Sequence, residues 1–116
     1  MTMRYQEPAR IPNAEIDHVL ASGNPEAIAD ACLSIAYYED DWEWAFKRLK
    51  SVAFDLNRPD SLRSLAVTCV GHLARRIHDL DVAMAEEFLL SLGGDQAVAS
   101  AASDALDDLR IFRMSD

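Results

Sequence analysis

Glycine and proline are scarce, four of each in 116 residues, which excludes linker-like, low-complexity and collagenous chains. No apolar run approaches the ~20 residues that span a bilayer. The stretch from Met1 to Arg10 lacks the hydrophobic core of a signal peptide, being interrupted by Tyr5, Glu7 and Pro8. A cytoplasmic protein that does not contact membrane is expected. There are two cysteines, Cys32 and Cys69, both inside apolar helical segments and without C-x-x-C spacing. They read as small core hydrophobes, not as a disulfide framework or metal ligands. The histidines His18, His72 and His78 form neither an H-x3-H pair nor an HExxH motif. A nucleophile elbow, a phosphate-cradling glycine loop and a dinucleotide fingerprint are all missing. The run His78-Asp79-Leu80-Asp81 fits a loop with a helix cap better than a cation site. Asp104 and Asp108 have acid–base potential, but nothing in the pattern builds a pocket around them. The expectation is therefore no catalytic residue, no metal and no cofactor.

Positive charge is also in deficit. Eleven Lys and Arg against twenty Asp and Glu leave a net charge of −9. A polyanionic nucleic acid is a poor partner for such a surface, because binding would oppose like charges instead of releasing counterions. A basic protein is a better one. Half the residues are hydrophobic, enough for a packed core without metal or disulfide staples. The length fits one helical domain, 1–116, with an N-terminal arm over 1–11 and helical hairpins over 12–113.

Turn and cap signals divide the chain into about six helices. Asn13 is expected to cap the first, which uses Ile16, Val19 and Leu20 and stops at Gly23. Asn24-Pro25 caps and opens the second, with Ile28, Ala29, Cys32, Leu33 and Ala36 on one face. Asp41 caps the third, whose stripe is Trp42, Ala45, Phe46, Leu49, Val52, Ala53 and Leu56, ended by Asn57-Arg58-Pro59. The fourth starts at about Asp60 or Ser61 and buries Leu62, Leu65, Ala66, Cys69, Val70, Leu73 and Ile77. Asp81 caps a fifth over Val82 to Leu92, and Gly93-Gly94 ends it. Asp95 caps the last, which runs to about Arg113.

The even-numbered helices repeat weakly. Ile28, Ala29, Cys32, Leu33 and Ala36 align with Leu65, Ala66, Cys69, Val70 and Leu73, then with Ala101, Ala102, Ala105, Leu106 and Leu109, at offsets of 37 and 36 residues. That period belongs to helical repeats that stack as antiparallel hairpins. The expected fold is all-α, three hairpins in a short solenoid, with an irregular helical bundle as the alternative. The stretches Asp41-Trp42-Glu43-Trp44-Ala45, Cys69-Val70-Gly71-His72-Leu73-Ala74-Arg75, Leu80-Asp81 and Asp104-Ala105-Leu106-Asp107-Asp108-Leu109 resemble the short bacterial HEAT-repeat proteins. The resemblance covers roughly residues 24 to 112. Many members of that group are immunity proteins against secreted or contact-delivered toxins, so it implies a non-enzymatic antitoxin-like role.

In a hairpin stack the loops Tyr38-Glu39-Asp40-Asp41 and His78-Asp79-Leu80-Asp81 would share one acidic edge. Asp41 and Asp81 double as caps, whereas Glu39 and Asp40 cap nothing evident. Glu43 adds charge beside them. Trp44 lies ~200° from Trp42 around the helix, facing Arg48, Ser51 and Asp55. It is either an exposed interface anchor or is covered by the N-terminal arm through Tyr5 and Ile11. On the last helix Asp104, Asp107, Asp108 and Ile111 share a face, where the carboxylates repel unless Arg75, Arg76 or Arg110 offsets them. The partner-binding set is thus Tyr38, Glu39, Asp40, Asp41, Glu43, Trp44, His78, Asp79, Asp81, Asp104, Asp107 and Asp108. The functional expectation is an immunity-type inhibitor that masks a basic toxin domain, in particular a nuclease groove, in a 1:1 complex. The alternative is a HEAT-like adaptor that binds a peptide or protein on the even-helix face through Arg63, Val67, Gly71, Arg75, Asp104 and Asp108. An enzyme with an acidic active site is a distant third.

Overall fold

Local chemistry sets most of the element boundaries. In the computed structural model, which describes residues 8–114 and their side chains through residue 111, the chain forms α1 (Asn13–Leu20), α2 (Pro25–Tyr38), α3 (Trp42–Phe54), α4 (Asp60–Arg76), α5 (Val82–Ser91) and α6 (Ala99–Met114). The protein is all-helical. The Asn24 carboxamide oxygen accepts from the N–H groups of Glu26 and Ala27 ahead of Pro25, and Asp41 and Asp81 accept from Trp44 and Met84 in the same way. Gly23 ends the α1 region with φ +77°, a backbone conformation that glycine adopts without strain.

Three expected details differ. Asn13 is the first helical residue of α1, not its cap: Pro12 precedes it and no side chain caps this end. Its carboxamide instead donates to Glu39 at 2.6 Å. Leu56, placed by period on the α3 core stripe, is 77% exposed, because α3 stops at Phe54 and the chain turns there. Asp95 opens a turn ahead of α6: its side chain accepts from Ala97 N–H, and its carbonyl accepts from Val98 and Ala99.

The helix α4 is the hub. It packs against α2, α3 and α6, while α1 lies on α2 and α5 lies on α6. Its buried residues Leu62, Ala66, Cys69, Val70 and Leu73 follow the expected stripe. A second buried stripe, Val67, Gly71 and Ala74, lies four and three residues apart and therefore on one side of the helix. There α6 comes so close that a Cβ added at Gly71 would sit 3.0 Å from the Ala105 Cβ and 3.2 Å from its Cα. The small side chains of the α6 repeat permit this approach. On the other side, rings join α3 to α5: Trp42 stacks on Phe46 at 4.7 Å, and Phe46 and Phe54 meet the edge of Phe88 at 5.2 and 5.3 Å. The buried rings of Phe46 and Phe88 each contribute about 1.5–3 kcal/mol, and Phe54, 45% exposed, contributes less.

Arginines near α4 tie the other helices down by their C-terminal ends. Arg58 donates to the Leu20 carbonyl at 2.9 Å, where α1 ends. Arg63, 4% exposed, donates to the Ala53 carbonyl of α3 at 2.8 Å and to Asp95 at 2.5 Å. Arg76 donates to the Ala36 carbonyl of α2 at 3.0 Å and to the Glu39 carbonyl. Helix C-termini leave carbonyls unpaired and carry partial negative charge, so a guanidinium answers both needs. The Arg63 hydrogen bond holds the Asp95 carboxyl below its ordinary range. Burial first, then Arg75 and Arg76, lowers the His72 pKa, and its ring stacks on Tyr37 at 4.8 Å.

Gly71→Ala should lower stability by about 1 kcal/mol in urea titrations, since overpacking against α6 (roughly 1–3 kcal/mol) outweighs a gain of about 1 kcal/mol in helix propensity. Gly94→Ala, with no atom within 4 Å of the new Cβ, should stay within about 0.5 kcal/mol of wild type. Asp95 has a folded pKa below its unfolded one, so its contribution is complete above about pH 4 and is lost as pH falls through the folded value. Asp95→Asn should therefore be less stable than wild type at neutral pH. The gap between their urea midpoints should close in acid.

Candidate functional site

The two acidic loops converge. Asp40, Asp41, Trp42, Glu43, Asp79 and Asp81 line one shallow groove of about 520 Å³. It lies where α2 hands over to α3 and α4 hands over to α5, so both N-capping aspartates point their carboxylates at the first turn of a helix. The positive ends of α3 and α5 moderate the mutual repulsion of these groups. Among the described residues one cation pairs with a groove carboxylate: Arg76 Nη1 donates to Asp40 at 2.8 Å, and the Asp40 side chain remains 90% exposed. Among the described residues, five carboxylates against one guanidinium leave a formal −4 at this edge. The groove is open and acidic, a shape that accepts a cationic side chain.

The remaining expected residues have other surroundings. Glu39 is half-buried and already engaged: its carboxylate accepts from the Asn13 side chain and, at 3.0 Å, from the Asp41 N–H. Its side chain caps no helix but fixes the loop. Tyr38 donates its hydroxyl to the Pro8 carbonyl at 2.5 Å, fastening the N-terminal segment along α2, where the Ile11 N–H also donates to Ser34 at 2.8 Å. Trp44 does lie away from Trp42, but it is half-buried and not an exposed anchor. The Arg48 guanidinium stacks 3.9 Å above its ring, held in turn by two bonds of 2.8 and 2.9 Å to Asp17 on α1. That hydrogen bond from Arg48 lowers the Asp17 pKa. Ile11 packs on the same core as Trp44, and Tyr5 lies outside the described residues. His78 is exposed beside the groove. Asp104 and Asp107 are exposed on α6, and Asp108 lies 3.7 Å from Arg75; none of the three lines the groove.

Sequence reasoning missed two members of this site. Arg76 was weighed against the α6 aspartates and instead serves Asp40. Its place in the last turn of α4 suits a basic residue, but no local signal points to the α2 carbonyls that it reaches. Trp42 was assigned wholly to the core, yet it also walls the groove. On the even-helix face, Arg63, Val67 and Gly71 are buried, whereas Arg75, Asp104 and, in part, Asp108 reach solvent.

Both cysteines are free and buried. Burial raises the Cys32 thiol to about 12 and pushes Cys69 further up. Among the described residues, no group of three or more His, Cys, Asp and Glu side chains has an arrangement that could hold a metal ion, and no helix is long and apolar enough to cross a membrane. No protein-family model matches the chain, and no curated protein matches it in sequence.

Arg76→Met should cost about 1–3 kcal/mol, since two carbonyls and a carboxylate lose a charged donor. Asp40→Asn should cost no more than about 1 kcal/mol, as an exposed ion pair is worth little. Equal losses in paired urea titrations would contradict this division of labour.

Proposed function

We propose that the chain is a non-enzymatic protein-binding module of immunity type, which binds and neutralises a toxin acting in the cytoplasm. The observation that carries this reading is the convergence of Asp40, Asp41, Glu43, Asp79 and Asp81 from separate loops around one groove, with Arg76 as their one paired cation among the described residues. An enzyme that cuts RNA or DNA holds phosphates in a cationic groove, and an acidic edge complements such a surface. Complementary charge accelerates encounter and disfavours wrong partners. The resemblance to short HEAT-repeat immunity proteins supports the same reading. So does the pairing of α1 with α2, α3 with α4 and α5 with α6, with α4 between α2 and α6, the contact order of three stacked hairpins. The complex is proposed to be 1:1.

Co-expression with products of neighbouring genes, followed by purification, should recover a basic partner. The combined variant Asp41→Asn, Glu43→Gln, Asp79→Asn and Asp81→Asn keeps both caps, because asparagine caps as well as aspartate. Its association rate with that partner at low salt should fall about 10- to 100-fold, and added salt should slow the wild type far more than the variant. Dissociation should change less. An association rate indifferent to both salt and substitution would refute the electrostatic reading.

A further inference from the structure

Negative charge does not account for everything in the acidic groove. Trp42, 6% exposed, is among its lining residues, and the indole Nε1–H is shielded from solvent without an acceptor among the described residues. A buried donor left unpaired is destabilising, and native proteins rarely keep one. One face of this indole is already occupied by the Phe46 ring at 4.7 Å. The groove therefore makes two chemical demands. The carboxylates call for a cation, and the indole, which only donates, calls for an acceptor.

A metal ion or a simple amine meets the first demand alone. An anion meets the second and is repelled by the first. A basic residue within a peptide meets both, with a guanidinium or ammonium at the end of its side chain and a carbonyl on its own backbone. We propose that the groove is a subsite for one arginine or lysine of an extended partner segment: the cation lies among Glu43, Asp79 and Asp81, and a backbone carbonyl of that segment accepts from Trp42 Nε1–H. This rests on the preceding assignment of the acidic edge as the partner-binding surface. Arginine is the better occupant, because its planar fork binds carboxylates in pairs and is less strongly hydrated than an ammonium. The indole N–H is shielded from solvent, so on this proposal the side chains around it shift as the carbonyl approaches.

The test observes the indole proton of the intact protein by 1H–15N NMR. Trp44→Phe identifies the Trp42 signal, since the chain has two tryptophans. The probes are acetyl-Gly-Arg-Gly-amide, its glutamine analogue, and agmatine, which has the guanidinium but no carbonyl. The arginine peptide should move the Trp42 indole proton downfield and saturate at about tenfold lower concentration than the glutamine peptide. Agmatine should perturb the loop amides around Asp79 and leave the indole unmoved. Asp79→Asn/Asp81→Asn, which keeps the α5 cap, should weaken the arginine peptide about tenfold. An indole signal that stays fixed at saturating arginine peptide, or moves equally with agmatine, overturns the subsite. So does an unchanged peptide affinity in the double variant. If peptides fail while the partner protein still associates in a salt-dependent way, only this subsite falls. If the salt dependence is missing as well, the acidic-edge reading falls with it.

Discussion

The guanidinium of Arg76 holds together the part of the molecule on which the groove depends. Its three nitrogens reach the Ala36 carbonyl, the Glu39 carbonyl and the Asp40 carboxylate. The first two are main-chain oxygens that the end of α2 leaves without helical partners. By satisfying them, Arg76 sets the direction in which the chain leaves α2 and brings Asp41 to the cap of α3. Trp42 then begins the run of rings through Phe46 to Phe88 that joins α3 to α5. Arg76 is also the last residue of α4, so the loop carrying Asp79 and Asp81 starts directly beyond it. The two acidic loops are neighbours because one residue both ends a helix and fastens the end of another.

How much of this was legible in the sequence depended on whether the signal was local. Asn24, Asp41 and Asp81 were readable as caps because a cap needs only its own side chain and the next N–H groups. Asn13 carries the same side chain, but its carboxamide is drawn to Glu39, 26 residues away, a partner that no window around position 13 contains. Leu56 continued the period of α3 beyond the point where the helix stops, since periodicity alone does not register an end. The burial of the second stripe of α4 was hidden for a related reason. A helix covered on several sides has no single apolar face, and Val67 and Gly71, off the main stripe, read as part of an open binding face with Arg63 and Arg75. Nothing near Arg63 in sequence reveals that its charge is spent on Ala53 and Asp95.

The site divides along the same line. The acidity of the two loops and their approach to one another followed from composition and hairpin order. Which carboxylates stayed unengaged did not follow, because Glu39 and Asp40 are distinguished only by tertiary partners. The helical angle correctly separated Trp44 from Trp42, yet the side facing away from one core is not always the side facing water. Arg48, anchored by Asp17, lies across that indole. Cations that were expected to balance aspartates nearby in the chain are used instead for rings and carbonyls contributed by other helices.

That use of arginine changes what the net charge means. Arg58, Arg63 and Arg76 direct donors inward to helix ends, while most of the groove carboxylates remain exposed. The surface at this edge is therefore more negative, relative to its size, than the composition alone implies. Such crowding would be costly if the fold depended on it, but it does not. Asp41 and Asp81 stabilise α3 and α5 through hydrogen bonds that neutral asparagine makes equally well. Asp79 and Glu43 make no ion pair among the described residues. Glu43 meets only the positive end of α3, in whose first turn it lies. The energy of meeting a cation at this edge is thus not already spent inside the protein, and it is available to a partner that brings one.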